Sequence, residues 1–155
     1  MRDRVTRMKL LRLEEFVPFR LNRLADAVSL NLSDIYRDRF GLEIPEWRVL
    51  VTIGQFQERT AQQISLSTRM HKSRVSRAVA SMEDRKLVER TSNAEDGREM
   101  RLCLTKAGER MYAALVPLAL ERERELLSCL SDSERRIFLT AITQLEGSLE
   151  LSEAT

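Results

Sequence analysis

Residues 60–82 read TAQQISLSTRMHKSRVSRAVASM, and the organisation of the whole chain follows from this stretch. Thr60 and Gln63 have the Thr-x-x-Gln spacing of a capping box, in which the hydroxyl and the side-chain amide satisfy each other's free backbone N–H groups. A short helix is therefore predicted over residues 61–67, followed by a tight turn through Thr68 to His71. Beyond the turn Val75, Ala78, Val79 and Met82 recur at i, i+3, i+4 and i+7, an apolar stripe on a second helix. The opposite face carries Ser73, Arg74, Ser76, Arg77 and Ala80. Two short helices joined by a tight turn, the second apolar behind and small or basic in front, predict a helix-turn-helix.

Towards the C-terminus the period changes to two. Leu87-Val88-Glu89-Arg90-Thr91 reads as one strand, and residues 99–104 alternate with Met100, Leu102 and Leu104 on one face. Asn93-Ala94-Glu95-Asp96-Gly97 between them is rich in turn formers, so the pair reads as a hairpin, the wing of a winged helix. Thr105 then caps a helix whose apolar positions continue to Leu126 and Leu127. Ser131-Asp132-Ser133-Glu134 breaks it and starts a last helix with Ile137, Phe138, Ala141 and Leu145. Towards the N-terminus, Pro45 opens a helix that sets Trp47, Leu50, Val51 and Gly54 on one face. Apolar residues at helical spacing from about Glu14 to Phe40 predict a long first helix stopped by Gly41, with Pro18 in its first turn and residues 1–13 as an arm.

Composition agrees with this order. Five Gly and three Pro in 155 residues are too few for a turn-rich β fold, while 43% hydrophobic residues suffice for a core, so the fold class is mainly α. The formal net charge is only +2, but it is unevenly spread: residues 1–23 carry net +4, 24–58 net −3, 59–110 net +5 and 121–155 net −4. A basic block in mid-chain suits a polyanion partner. No apolar run approaches a membrane span or a signal-peptide core, which predicts a cytoplasmic protein with no membrane partner. Cys103 and Cys129 have neither zinc spacing nor scaffold density and read as free thiols. One histidine, no nucleophile–base pair and no Gly-rich phosphate loop argue against an enzyme, and no metal or cofactor is expected.

From Tyr36 to Tyr112 the chain resembles the MarR family of bacterial winged helix-turn-helix regulators. The resemblance is carried in order by Glu46-Trp47-Arg48-Val49-Leu50, Val75-Ser76-Arg77-Ala78-Val79, Arg85-Lys86-Leu87-Val88-Glu89-Arg90, Asp96-Gly97-Arg98 and Leu102-Cys103-Leu104-Thr105-Lys106-Ala107-Gly108. It implies a homodimer in which residues 1–40 are an arm and dimerisation helix, 41–105 the winged DNA-binding module and 106–155 the remaining dimerisation helices. The protein would be a ligand-responsive regulator, a repressor on a pseudo-palindromic operator, released by a small aromatic acid, a phenol or a CoA thioester. The competing reading is a winged helix for protein contact or for non-specific DNA binding, without effector response.

Double-stranded DNA is thus the expected partner. Ser73 and Arg74, in the first turn of the second helix, are expected nearest the bases, with Ser76 next. Arg74 and Arg77 can pair with guanine or hold phosphate, and Lys72 lies beside a helix amino terminus suited to phosphate. The resemblance implies that Arg98 enters the minor groove or meets its phosphates, while Asp96 orients an arginine such as Arg77. Glu99 stands where relatives often have a second Arg, which implies fewer wing contacts. Arg90 and Arg101 read either as phosphate contacts or as cross-strand partners of Glu. His71 reads as a pH-sensitive phosphate contact or as a bare exposed imidazole. The family's effector pocket lies near the helix of Trp47, which implies Arg20, Tyr36, Trp47 and Arg48 as lining residues, with Trp47 equally readable as core.

Overall fold

The computed structural model describes residues 10–92 and 100–151. Within them the order is α1 (Val17–Phe40), α2 (Ile44–Phe56), β1 (Glu58–Arg59), α3 (Ala61–Thr68), α4 (Lys72–Asp84), β2 (Val88–Ser92), β3 (Met100–Leu104), α5 (Lys106–Leu127) and α6 (Asp132–Ser148). This is the mainly α winged helix that the patterns predict.

Local chemistry sets the boundaries. α1 begins later than the apolar spacing suggests, because residues 13–15 close a separate turn in which the Phe16 N–H donates to Arg12 O at 3.0 Å. Pro18 then occupies the first turn, where its missing N–H has no helical partner to lose. Gly41 ends α1 at φ +60°, and the following Leu42 N–H reaches back to Tyr36 O at 3.1 Å. The Thr60–Gln63 box forms as read, with Gln63 N–H donating to Thr60 Oγ1 (3.1 Å) and Thr60 N–H to Gln63 Oε1 (2.9 Å). Ser131 and Glu134 make the same reciprocal pair at the start of α6. Thr105 caps α5 by accepting the Gly108 N–H at 3.1 Å.

The predicted stripe of α4 is buried throughout: Val75, Ala78, Val79 and Met82 pack into a core shared with Leu50, Ile53, Ile64 and Leu102. α2 departs from its predicted face. Val49, Leu50 and Ile53 are fully buried, whereas Trp47, Val51 and Gly54 are only half-buried. α2 touches α1, α3, α4, α5, β1 and β3, so it is covered on several sides and a single stripe cannot describe it.

The sheet also corrects the two-stranded reading. Its order is β1-β3-β2, all antiparallel, with Glu58 opposite Cys103 and Arg59 opposite Leu102. Two residues are too short to display alternation, which is why β1 has no sequence signature. Outside this module, the N-terminal half of α1 leaves Val17, Leu21 and Leu24 exposed, and α6 has no buried residue. No helix among the described residues is long and apolar enough to cross a membrane.

Candidate nucleic-acid interface

Because Val75, Ala78, Val79 and Met82 face inward, helical geometry turns the rest of α4 outward. Lys72, Ser73, Arg74, Ser76, Arg77 and Ala80 are all exposed. The first turn holds no acidic residue, so three cations and two hydroxyls share a convex ridge with the helix's own positive amino end. Ser76 and Ala80 keep that ridge low enough for backbone to approach a groove. Arg77 Nε donates to Ser73 O at 3.3 Å, which lays its guanidinium back along the helix. Among the described residues Arg74 makes no ion pair.

His71 has a defined role that neither sequence reading covers. It is the N-cap of α4: its Nδ1 accepts the Ser73 N–H at 3.3 Å and lies 2.9 Å from Ser73 Oγ. Histidine is outside the usual Ser, Thr, Asp and Asn set, so no capping rule would flag it.

Arg90 does not make the cross-strand pairing that is its alternative reading. Its guanidinium forks onto Glu83 at the end of α4, with Nε–Oε1 at 2.8 Å and Nη2–Oε2 at 3.2 Å, and not onto a Glu across the sheet. Arg101 does pair across the sheet, with Glu58 of β1. Asp96 and Arg98 lie outside the described residues.

The residues expected to line an effector pocket are brought together in part. Tyr36, 1% exposed, stacks on Trp47 with centroids 5.1 Å apart and planes within 8°. Arg48 reaches the neighbouring Ser29 Oγ at 3.5 Å. Arg20 is exposed and stands sixteen residues before Tyr36 on the same helix, about 24 Å along its axis, so it does not join them within one protomer. Burial raises the Tyr36 pKa above the ordinary 10.0, Arg48 and Arg37 work against that rise, and Glu43 adds to it. The folded protein therefore holds the phenolic proton more tightly than the unfolded chain does. This stabilisation is present below about pH 10 and is lost as pH climbs through the folded value. Urea midpoints measured on the alkaline side should fall with pH in the parent chain, and Tyr36→Phe should flatten that slope; equal slopes would contradict the assignment.

Cys103 is half-buried and Cys129 exposed, both free. Burial and then Glu89 push the Cys103 thiol up, away from the thiolate character a reactive cysteine needs.

The family model described as "MarR family" matches residues 40–99, from the last residue of α1 to just before β3. A MarR/EmrR family transcriptional regulator from Acinetobacter sp. ADP1 superposes with a TM-score of 0.81 at 26% identity, over 90% of this chain and 99% of that one. The winged module of this chain and the fold around it resemble those of MarR-family regulators. Transcriptional regulator HosA of Escherichia coli is 32% identical to this chain over 74 residues, 48% of this chain and 55% of HosA. That match spans only about half of the curated relative's length. A MarR-family regulator from Listeria monocytogenes, solved with a 26mer DNA, shares the fold at a TM-score of 0.77 and 16% identity, over 87% of this chain and 89% of that one.

Two structural features escaped the sequence reading. Glu46 is a buried carboxylate, 8% exposed, that accepts the Glu43 N–H at 2.8 Å and the Ser81 hydroxyl from α4. Arg85, just past α4, donates to the carbonyls of Phe40 (2.7 Å) and Gly41 (2.9 Å). The Glu43-x-x-Glu46 spacing signals the first as a capping pair; a lone exposed arginine carries no comparable signal.

Proposed function

We propose that this protein is a homodimeric, sequence-specific DNA-binding transcriptional regulator that lays α4 in the major groove. The reading is carried by the exposed face of α4, with Lys72, Ser73, Arg74, Ser76 and Arg77 outward and the apolar stripe locked behind it. Ser73 and Arg74 lead into the groove, Ser76 follows, and Lys72 with the helix amino end holds phosphate. Arg98 of the wing takes the minor groove or its phosphates, and Asp96 orients an arginine. That the Listeria neighbour was solved with a 26mer DNA supports DNA as the partner of this chain.

The second copy of the chain is the partner that completes the molecule. α6 is 17 residues long with nothing buried, whereas helices in proteins draw most of their stability from packing an apolar face. Ile137, Leu139 and Leu145 on α6, with Val17, Leu21 and Leu24 on α1, supply an apolar surface at the chain's two ends. Burying it against its own symmetry mate presents two copies of α4 about 34–36 Å apart, one turn of DNA. The regulator acts as a repressor. A small aromatic acid, phenol or CoA thioester seated by Arg48 beside the Tyr36–Trp47 stack shifts the dimer between two spacings and releases the operator.

The test is selection of bound duplexes from a random library, followed by competition with random DNA and with aromatic acids. Specific binding should exceed non-specific binding by ~10³-fold or more. In that assay Arg74→Ala should cost about 1–3 kcal/mol. If Arg74 reads a base, preference relaxes at one position in each half-site. If it holds phosphate, all sequences weaken alike and the salt slope falls by about 0.9 per contact. Unchanged affinity would remove Arg74 from the interface.

A further inference from the structure

One side chain, Arg85, ties the end of α4 to the end of α1. α1 ends at Gly41, and like every α-helix it leaves its last carbonyls without helical donors. One of these orphan groups, Phe40 O, and the carbonyl of the capping Gly41 are taken by the two terminal nitrogens of Arg85, at 2.7 and 2.9 Å. Arg85 is the C-cap of α4, and its own N–H closes the last turn on Ser81 O at 3.1 Å. Its planar fork therefore joins the C-terminal ends of both helices.

The buried end of the same cluster keeps the fork in place. The Glu46 carboxylate lies 3.8 Å from Arg85 Nη1, and it accepts the Ser81 hydroxyl of α4 and the Glu43 N–H at the start of α2. Arg37, in the last turn of α1, pairs with Glu43 at 3.1 Å. Every buried oxygen of Glu46 is thus occupied from α2 or α4, as a desolvated carboxylate requires. The cleft beside this cluster, about 340 Å³, is lined by Glu43, Glu46 and Ser81 together with Arg74 and Arg77 of the reading face.

We infer that Arg85 is a positioning residue that fixes the angle of α4 against α1, and so fixes the spacing of the two reading helices in the dimer. This rests on the DNA-binding reading above. A tilt of α1 cannot be absorbed locally, because two hydrogen bonds near their optimal length share one rigid guanidinium. The tilt passes instead to α4. Sequence-specific contacts made by each half are untouched by Arg85, which does not lie on the exposed ridge.

The experiment uses the full chain and the operator selected from the library, compared with the same operator carrying one extra central base pair, which moves the half-sites apart by about 3.4 Å. The parent chain should lose roughly tenfold or more on the longer site, comparable to a mismatched base pair. Arg85→Met should bind a single half-site within about twofold of the parent, yet lose less than about threefold on insertion. Arg85→Lys keeps a charge facing Glu46 but cannot bridge two carbonyls, so it should fall between the two; it serves as the readout where Arg85→Met does not fold. Full spacing discrimination in a folded variant overturns the inference. Equal weakening on the half-site and both full sites also overturns it, since Arg85 would then merely hold the module together. Failure of the parent chain to select any sequence defeats the DNA-binding reading itself, and is distinguishable because it appears before any variant is made.

Discussion

Gly108→Ala is expected to lower the melting temperature by about 6–12 °C, from an overpacking cost of about 3 kcal/mol. A Cβ at Gly108 would stand 2.1 Å from the Leu87 carbonyl oxygen and 3.1 Å from its carbon. These are backbone atoms, and they cannot swing away. Leu87 O already accepts the Thr105 N–H at 3.0 Å, while Thr105 Oγ1 donates to Lys86 O at 2.6 Å, so the turn after α4 and the start of α5 are riveted at this point. Opening it for a methyl group breaks the joint between the wing and α5. Gly147 is the control: nothing lies within 4 Å of its Cβ position, so Gly147→Ala should be neutral or add up to about 1 kcal/mol through helix propensity. Gly54→Ala meets the Tyr112 ring at 2.4 Å and should fall between them, because an aromatic side chain can shift where a carbonyl cannot. Thermal melts of the three variants rank these effects, and a Gly108→Ala melt within 2 °C of the parent would show that the turn yields (about 1 kcal/mol or less).

The second large effect concerns assembly. Leu24→Asp together with Ile137→Asp places charges on side chains that are 51% and 69% exposed in the single protomer. The protomer's own core does not contain either residue, so helix content should be retained within the winged module. A dimer that buries them cannot form without burying four unpaired carboxylates. Sedimentation should therefore report a monomer, and affinity for the full operator should fall by about 10²–10⁴-fold as the linked second site is lost. Retained dimerisation would place the interface elsewhere on the surface.

Much of this molecule is legible in its residues, and the exceptions have physical reasons. The capping boxes at Thr60 and Ser131 and the stripe on α4 depend on near neighbours in the chain, so spacing alone reveals them. The Glu43–Glu46 box was equally local, but Glu is not among the residues a capping search begins with. α2 misled because its burial is decided by several neighbours, and β1 because two residues carry no period. For the site, Ser73, Arg74, Ser76 and Arg77 could be placed from the stripe behind them. The roles of Arg85 and Arg90 could not, since each is settled by a partner on another element, and His71 escaped because histidine is outside the usual capping set. Arg20 shows the converse: one helix separates it from Tyr36 by more than its side chain can span.

The central claim is that two copies of α4 read one duplex together. Its most direct test is to select a binding site from random DNA and then measure the protein-to-duplex stoichiometry and hydroxyl-radical footprint on that site. The account predicts an inverted repeat with half-site centres about 10 base pairs apart, two chains per duplex, and protection in two successive major grooves that Arg74→Ala weakens. Enrichment of no sequence, or one chain bound alike to any duplex, would contradict it.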